Sequence, residues 1–335
     1  MKYCVTGTAG FIGSHVALQL LKAGHEVVGI DCVTDYYDVQ LKQDRLARLI
    51  PFDGFSEARI DMADDAAMET VFETHKPKIV INLAGQAGVR HSIEYPRDYA
   101  KSNINGFLNV LEGCRNHGVE HLLFASTSSV YGANTAQPFS EHTPADHPLT
   151  FYAATKRANE MMAHSYAHLF GIPCTGLRFF TVYGPWGRPD MAYFKFTKAM
   201  LAGEPIDIYN AGQMSRDFTY IDDIVDGVLK LSAVYPKINP DWDGDNPDPA
   251  SSGVAPFRVY NIGNNNVVPL MDYIQAIEKK LGITAIKNMM PMQIGDVYST
   301  HANTDDLRAA TGFKPDTSVA IGIGKFVDWY LEYYK

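Results

Sequence analysis

The feature that most constrains this chain is a turn of glycines close to its start. Tyr3–Thr6 is a short apolar strand, and it leads directly into Gly7-Thr8-Ala9-Gly10-Phe11-Ile12-Gly13. From Phe11 to Ala23 the pattern is helical, with Gly24 placed to cap the end. A strand that turns this tightly into a helix gathers backbone N–H groups and the positive end of the helix dipole at one point, where phosphate oxygens bind. At this GxxGxxG spacing the glycines permit the turn and the close approach of a pyrophosphate, and the third lets the helix close on the strand. The next strand, Val27–Asp31, ends in an acid. A carboxylate there accepts hydrogen bonds from an adenosine ribose diol and repels a 2′-phosphate, so the two signals together predict NAD rather than NADP.

The alternation continues along the chain. Ile79–Leu83, Leu122–Ala125 and Thr175–Phe179 are further short apolar runs with helical patterns between them. Strands apolar along their whole length are buried on both faces. Separated by helices, they predict an α/β protein on a doubly wound parallel sheet. Beyond about Phe180 the alternation loosens. The expected organisation is a dinucleotide-binding domain over 1–180, to which segments at about 217–235 and 257–263 return, and a smaller C-terminal α/β lobe drawn mainly from 181–335. Pro236–Pro256 is dense in Pro, Asp, Gly and Ser. Its carboxylates lack the spacing and terminal Glu of a Ca²⁺ loop and read as a solvated surface segment.

A chain of 335 residues can bury a large core unaided. Lys and Arg number 29 against 38 Asp and Glu, a net charge of −9, so no general basic field exists for nucleic acid or an anionic membrane. Any anionic ligand must be met by local Arg and Lys side chains. No apolar run approaches the roughly 20 residues that span a bilayer, and Met1-Lys2-Tyr3-Cys4-Val5 is not the start of a secretory leader. Cys4, Cys32, Cys114 and Cys174 are far apart, without metal-ligand or redox spacing. They are expected to be reduced thiols of a cytoplasmic protein without a metal site.

Two motifs carry chemistry. Tyr152-Ala153-Ala154-Thr155-Lys156 sets a phenol and an ammonium one helical turn apart on one face. A neighbouring ammonium stabilises a phenolate, which can then act as a general base on a sugar hydroxyl. Upstream, Ala125-Ser126-Thr127-Ser128-Ser129-Val130-Tyr131-Gly132 brings hydroxyls to a strand end. One of them can bridge a substrate hydroxyl and the tyrosine. With the glycine turn, and in this order, these motifs resemble the extended short-chain dehydrogenase/reductases that process nucleotide sugars, over nearly the whole chain. The resemblance implies a Rossmann domain with a substrate lobe, bound NAD, and Thr127, Tyr152 and Lys156 as catalytic residues. It sets Gly7, Gly10, Phe11, Ile12, Gly13, Asp31, Asp61, Met62, Leu83, Ala84, Gln86, Tyr152 and Lys156 along the cofactor, with Asp61 and Met62 at the adenine. Tyr131 and Tyr183 belong to Val-Tyr-Gly turns and take no catalytic role.

Within that family the strand end discriminates. Dehydratases resemble Thr-Asp-Glu-Val-Tyr-Gly and decarboxylases Thr-Ser-Glu-Val-Tyr-Gly here, whereas this chain reads Thr127-Ser128-Ser129-Val130-Tyr131-Gly132. The runs Arg178–Met191, Met214–Asp223, Gln86–Arg90 and Pro291–Asp296 resemble UDP-glucuronate 4-epimerases. Thr181 and Gln293 replace the Asn and Arg typical of UDP-galactose 4-epimerases. The resemblance implies that Arg216 meets the diphosphate, Tyr209 stacks on uracil and Asp296 binds the uridine ribose. Ser128, Ser129 and Thr181 would lie at the sugar, with Ser128 and Thr181 at its carboxylate, and Arg90 and Arg188 near the nucleotide or diphosphate. The implied reaction is reversible C4 epimerisation of UDP-glucuronate to UDP-galacturonate through a 4-keto sugar. A UDP-glucuronate decarboxylase, a UDP-glucose/galactose 4-epimerase and a non-catalytic NAD-binding module are the rivals. A homodimer is implied, through helices around Lys101–His117 and Tyr152–Leu169. Departures from the family pattern are Phe151 before the tyrosine and Asp296-Val-Tyr-Ser-Thr-His301 in the uridine region.

Overall fold

The computed structural model describes residues 1–293 and 295–334. Ile294 of the Pro291–Asp296 motif and Lys335 of the expected lobe lie outside the described residues. In chain order the strands are β1 (Lys2–Thr6), β2 (Glu26–Ile30), β3 (Phe55–Ala58), β4 (Ile79–Asn82), β5 (His121–Thr127), β6 (Cys174–Phe179), β7 (Thr181–Tyr183), β8 (Ile206–Tyr209), β9 (Ser215–Tyr220), β10 (Phe257–Ile262), β11 (Val267–Pro269) and β12 (Lys287–Met290). Seven of them form a parallel sheet in the order β10-β6-β5-β4-β1-β2-β3. The strand order reverses between β1 and β4, and the crevice beyond the carboxyl ends of the strands at such a reversal is where open α/β sheets bind ligands.

Neighbouring residues of one strand feed two separate cores. Val5, Ile81 and Leu123 pack into a cluster with Val16 and Leu20 of the Phe11–Lys22 helix and Ile224 and Val228 of the Ile221–Ser232 helix. Their immediate neighbours Cys4, Val80 and Leu122 pack into a second cluster with Phe72, Phe107 and Leu111 on the other side. Side chains of a strand alternate between faces, so a sheet covered by helices on both faces needs apolar residues at every position. Hence these strands are apolar throughout.

The remaining strands build a smaller lobe over the carboxyl edge, with a three-stranded sheet β11-β9-β7 and the pair β12-β8. Helices Ala192–Ala202, Leu270–Leu281 and Val319–Tyr334 back them with an aromatic core that includes Tyr183, Tyr193, Phe218, Tyr273 and Phe326. Arg45, fully buried, joins this region to the sheet. Its guanidinium donates to the Ala9 carbonyl of the glycine turn at 3.0 Å, to the Tyr37 hydroxyl at 2.7 Å, and to the Trp186 and Gly187 carbonyls at 2.7 to 3.0 Å.

Two elements differ from the sequence expectation. The segment read as one helix over Lys101–His117 opens as a π-helical turn, Ala100–Asn105, before the α-helix Gly106–Asn116. The Asn103 carbonyl accepts a 2.6 Å hydrogen bond from the Asn159 side chain. A side chain that engages the helical ladder is a recognised place for a helix to depart from regular geometry. Strand β3 was not legible, because Phe55-Ser-Glu-Ala58 is a half-exposed edge strand without an apolar run.

Candidate active site

One cavity of about 940 Å³ runs along the carboxyl edge of the main sheet, beneath the smaller lobe. Every residue assigned above to cofactor binding, catalysis or substrate contact lines it, Gln293 of the substrate comparison excepted. Chain order gives no hint of this proximity: the lining reaches from Gly7 to Thr300.

The glycine turn forms one end. Gly7 sits at φ +78°, and a Cβ on it would stand 2.9 Å from the Ala84 amide nitrogen. A Cβ on Gly13 would stand 2.0 Å from the Gly7 carbonyl, so the helix closes on the turn only without a side chain there. The Phe11–Lys22 helix that follows has no side-chain cap on its first turn, which leaves its N–H groups for an anion. The Asp31 carboxylate accepts from the Ala9 amide at 2.9 Å and the Val33 amide at 2.8 Å, one on each oxygen. Each oxygen keeps a lone pair for a diol. Burial pushes the Asp31 pKa up, against those two amide bonds. The Thr6 hydroxyl donates to Asn82 Oδ1 at 2.7 Å and accepts from the Leu83 and Ala84 amides, which ties the end of β4 to β1. Asp61 forms an ion pair with Lys101 at 2.7 Å, and Met62 is buried against Gly106. A shape that excludes side chains, an uncapped helix start and a carboxylate fit a dinucleotide diphosphate and its ribose.

The middle of the cavity holds Thr127, Tyr152 and Lys156. Thr127 is the last residue of β5, where the sequence had Ala125 as the strand end. Tyr152 and Lys156 lie in the first two turns of the Phe151–Phe170 helix, which Thr150 caps by accepting from the Ala153 amide at 3.2 Å. Burial raises the Tyr152 pKa; a hydrogen bond with Thr127 and the charge of Arg188 pull it back. Sequence reading had looked only to Lys156 for a positive charge near Tyr152; the Arg188 charge acts on it as well. Lys156 is itself brought down to about 8 by burial. Its ammonium lies beside Gly85, where a Cβ would be 3.3 Å from Nζ. Ser128 and Ser129 follow on a short 3-10 turn whose start Thr127 caps through the Ser129 amide at 3.2 Å.

The far end is basic. Arg90 pairs with Asp296 at 3.0 Å, and its guanidinium stands 5.4 Å from the centre of the Tyr209 ring. Arg216 donates to the Ser215 and Tyr298 carbonyls. Burial lowers its pKa, and Asp296 opposes that shift. Arg188 is paired with Asp190 through Nε at 3.0 Å. Thr181 opens β7 on the cavity wall, whereas Gln293 is not in the lining; its buried amide oxygen has no partner among the described residues. Tyr131 and Tyr183 are buried structural side chains, Tyr131 donating to Asn261 at 2.7 Å.

Sequence reading missed Asn103 and Tyr36. Asn103 brackets Gln86, accepting from its amide at 2.8 Å and donating to its carbonyl at 3.1 Å, and donates to Thr155 at 3.0 Å. Tyr36 stands over Gly88, 2.7 Å from where a Cβ would be, and packs on His91. Neither belongs to a motif with fixed spacing. A polar residue amid the apolar pattern of its helix was the signal available for Asn103.

The model of the NAD dependent epimerase/dehydratase family matches residues 3–241. The chain belongs to that family. Across their full lengths it is 56% identical to Protein CapI of Staphylococcus aureus. It is 51% identical to a probable UDP-glucuronate 4-epimerase of Rhizobium meliloti (strain 1021), covering 100% of this chain and 98% of that one. Its structure is similar to that of a UDP-glucuronic acid 4-epimerase from Bacillus cereus solved with UDP-glucuronic acid and NAD. There the identity is 31%, the TM-score 0.87, and 99% of each chain is covered. This member of the epimerase/dehydratase family is an NAD-dependent enzyme, and NAD is the dinucleotide that its glycine cradle and Asp31 fit.

Proposed function

We propose that this enzyme inverts C4 of UDP-glucuronate, reversibly giving UDP-galacturonate. The observation that carries the reading is the β5 end of the cavity. Thr127, Tyr152 and Lys156 stand there with Ser128, Ser129 and Thr181, so hydroxyls occupy the place where an elimination needs an acid and a base. Tyr152 takes the proton from O4, bridged by the Thr127 hydroxyl, and Lys156 supplies the counter-charge. When bound along the glycine turn and Asp31, NAD supplies the hydride acceptor and donor. With the uridine end held by Tyr209, Arg216 and Asp296, the 4-keto sugar turns about its diphosphate linkage and presents its other face. Tyr152 then returns the proton. A 4-keto glucuronate is a β-keto acid and loses CO₂ readily if its carboxylate stands perpendicular to the carbonyl plane. Hydrogen bonds from Ser128 and Thr181 would hold it away from that orientation.

The test is to incubate the purified protein with UDP-glucuronate and follow products by chromatography with mass detection. A new peak of unchanged mass, which converts back when isolated, is expected. A product lighter by CO₂ would make the chain a decarboxylase, and turnover of UDP-glucose alone would make the neutral sugar its substrate. Tyr152→Phe is expected to abolish turnover and leave UDP binding intact; substantial activity in that variant removes Tyr152 as the base.

Among the described residues no helix is long and apolar enough to cross a membrane. We further propose a cytoplasmic homodimer joined through the Gly106–Asn116 and Phe151–Phe170 helices. Their outer faces expose Leu108, Met161, Leu169 and Phe170. Sedimentation of a single species at the monomer mass would remove that proposal.

A further inference from the structure

We infer that Glu160 is a positioning residue for Tyr152: its buried carboxylate locks the Phe151–Phe170 helix to the ends of β5 and β6 and so holds the Tyr152 hydroxyl at Thr127. The inference rests on the reading of Tyr152 as the base. Glu160 follows Lys156 by four residues, as Lys156 follows Tyr152, so the three side chains lie along one side of the helix. Glu160 is fully buried. One of its oxygens accepts from Ser126 Oγ at 2.6 Å and from Arg178 Nε at 2.8 Å. The other accepts from the Arg178 guanidinium at 2.8 Å and from Arg157 at 2.7 Å. All four acceptor positions of the carboxylate are thereby used.

The partners lie at one level of the sheet. Ser126 and Arg178 are opposite each other in the β5–β6 register, and Thr127 is the next residue after Ser126. A single carboxylate therefore grips both strands one residue below Thr127, which lines the cavity together with Tyr152. Arg178 carries the anchorage further. Its guanidinium lies 4.8 Å from the Tyr131 ring centre, and Tyr131 donates to Asn261 on β10. Burial works to raise the Glu160 pKa, but the Arg178 and Arg157 charges and the Ser126 hydroxyl overcome it and bring it down to about 2. The carboxylate is thus charged throughout the working range.

Stability alone does not account for such a cluster. A buried ion pair costs so much desolvation that apolar residues of the same volume often hold two elements together as well or better. What they lack is direction. An apolar contact tolerates small rotations and slides of a helix, whereas four hydrogen bonds to fixed donors do not. A displacement of about 1 Å at a reacting group can cost on the order of a hundredfold in rate, so the helix that carries the base is where such directionality matters.

The test compares Glu160→Gln and Ser126→Ala with the parent, all as NAD-loaded enzyme. Ser126→Ala changes no charge and removes only the grip on β5. Ionisation of Tyr152 is followed by phenolate absorbance, subtracting the matching protein that also carries Tyr152→Phe. Loosening the helix weakens the Thr127 bond that eases this ionisation, so the midpoint is expected to move to higher pH in both variants. Bound NAD and affinity for UDP should stay within about twofold of the parent. The kcat for C4 exchange should fall on the order of a hundredfold in Glu160→Gln and less in Ser126→Ala, with KM nearly constant. Unchanged midpoints and unchanged kcat per NAD-loaded site overturn the inference, whatever happens to Tm. If Glu160→Gln does not fold, Ser126→Ala decides alone. The titration needs no substrate, so a parent enzyme that leaves UDP-glucuronate untouched counts against the proposed reaction and not against this role of Glu160.

Discussion

Burial pushes Tyr152 and Lys156 in opposite directions, the phenol up and the ammonium down to about 8. Each resists charging alone, yet a phenolate and an ammonium formed side by side add no net charge to the cavity. That suits a site in which a proton leaves O4 and later returns. The steric demand of the glycine turn belongs to the same scale. In Gly13→Ala the new methyl would stand 2.0 Å from the Gly7 carbonyl, a backbone atom that cannot swing aside. The turn must open, at a cost of about 1–3 kcal/mol for overpacking. We expect the purified variant to melt lower and to carry less NAD, measured as dinucleotide released on denaturation; parental NAD content would refute the close fit of helix and turn. The placing of Gly13 in the turn, and of Tyr152 and Lys156 on one helix face, was open to sequence reading because each follows from covalent spacing. That Arg188 eases Tyr152 was not, since 36 residues of chain separate them.

The element that matters most is the helix Phe151–Phe170. Its first turn carries Tyr152, and Thr150 caps that turn. Thr150→Ala removes the acceptor of the Ala153 amide and should cost about 1 kcal/mol. The fraying falls where Tyr152 is held, so kcat should drop together with Tm, and Thr150→Ser should restore both. A fall in Tm with kcat unchanged would mean that Tyr152 is held from deeper in the helix. Most strands and helices of the sheet were legible, because burial on both faces writes itself as continuous apolar runs. The π-helical turn at Ala100–Asn105 was hidden, since the Asn159 side chain bonded to its Asn103 carbonyl is 56 residues away in sequence.

At the scale of the whole molecule, the segment Pro236–Pro256 is less detached than its composition suggested. Asp248 in that segment accepts from His142 Nδ1 at 2.9 Å, while His142 Nε2 meets Asp306 at 3.0 Å. Arg258 of β10 pairs with Asp306 and approaches Asp248. Burial tends to lower the His142 pKa, but the Asp248 bond and the charges of Asp248 and Asp306 outweigh it, even against the Arg258 charge, and hold it above 6.5. A histidine with a raised folded-state pKa stabilises the fold fully below its unfolded value and loses that contribution as pH rises through the folded one. Thermal stability should therefore decline from pH 6.5 upward across the raised His142 value, and His142→Gln should flatten that decline. Identical pH profiles for the parent and His142→Gln would show that the bridge adds nothing.

The sequence by itself determined the sheet, the dinucleotide cradle and the Tyr152–Lys156 pair, because each depends on the order and spacing of residues a few positions apart. Tertiary structure decided what those groups meet. It put the charge of Arg188 on Tyr152, set Arg90 against Asp296, and drew Ser126 and Arg178 around Glu160. These are interactions between segments that only the packed sheet and lobe bring together, and their energies depend on burial and on three-dimensional distance, quantities that residue order alone does not carry.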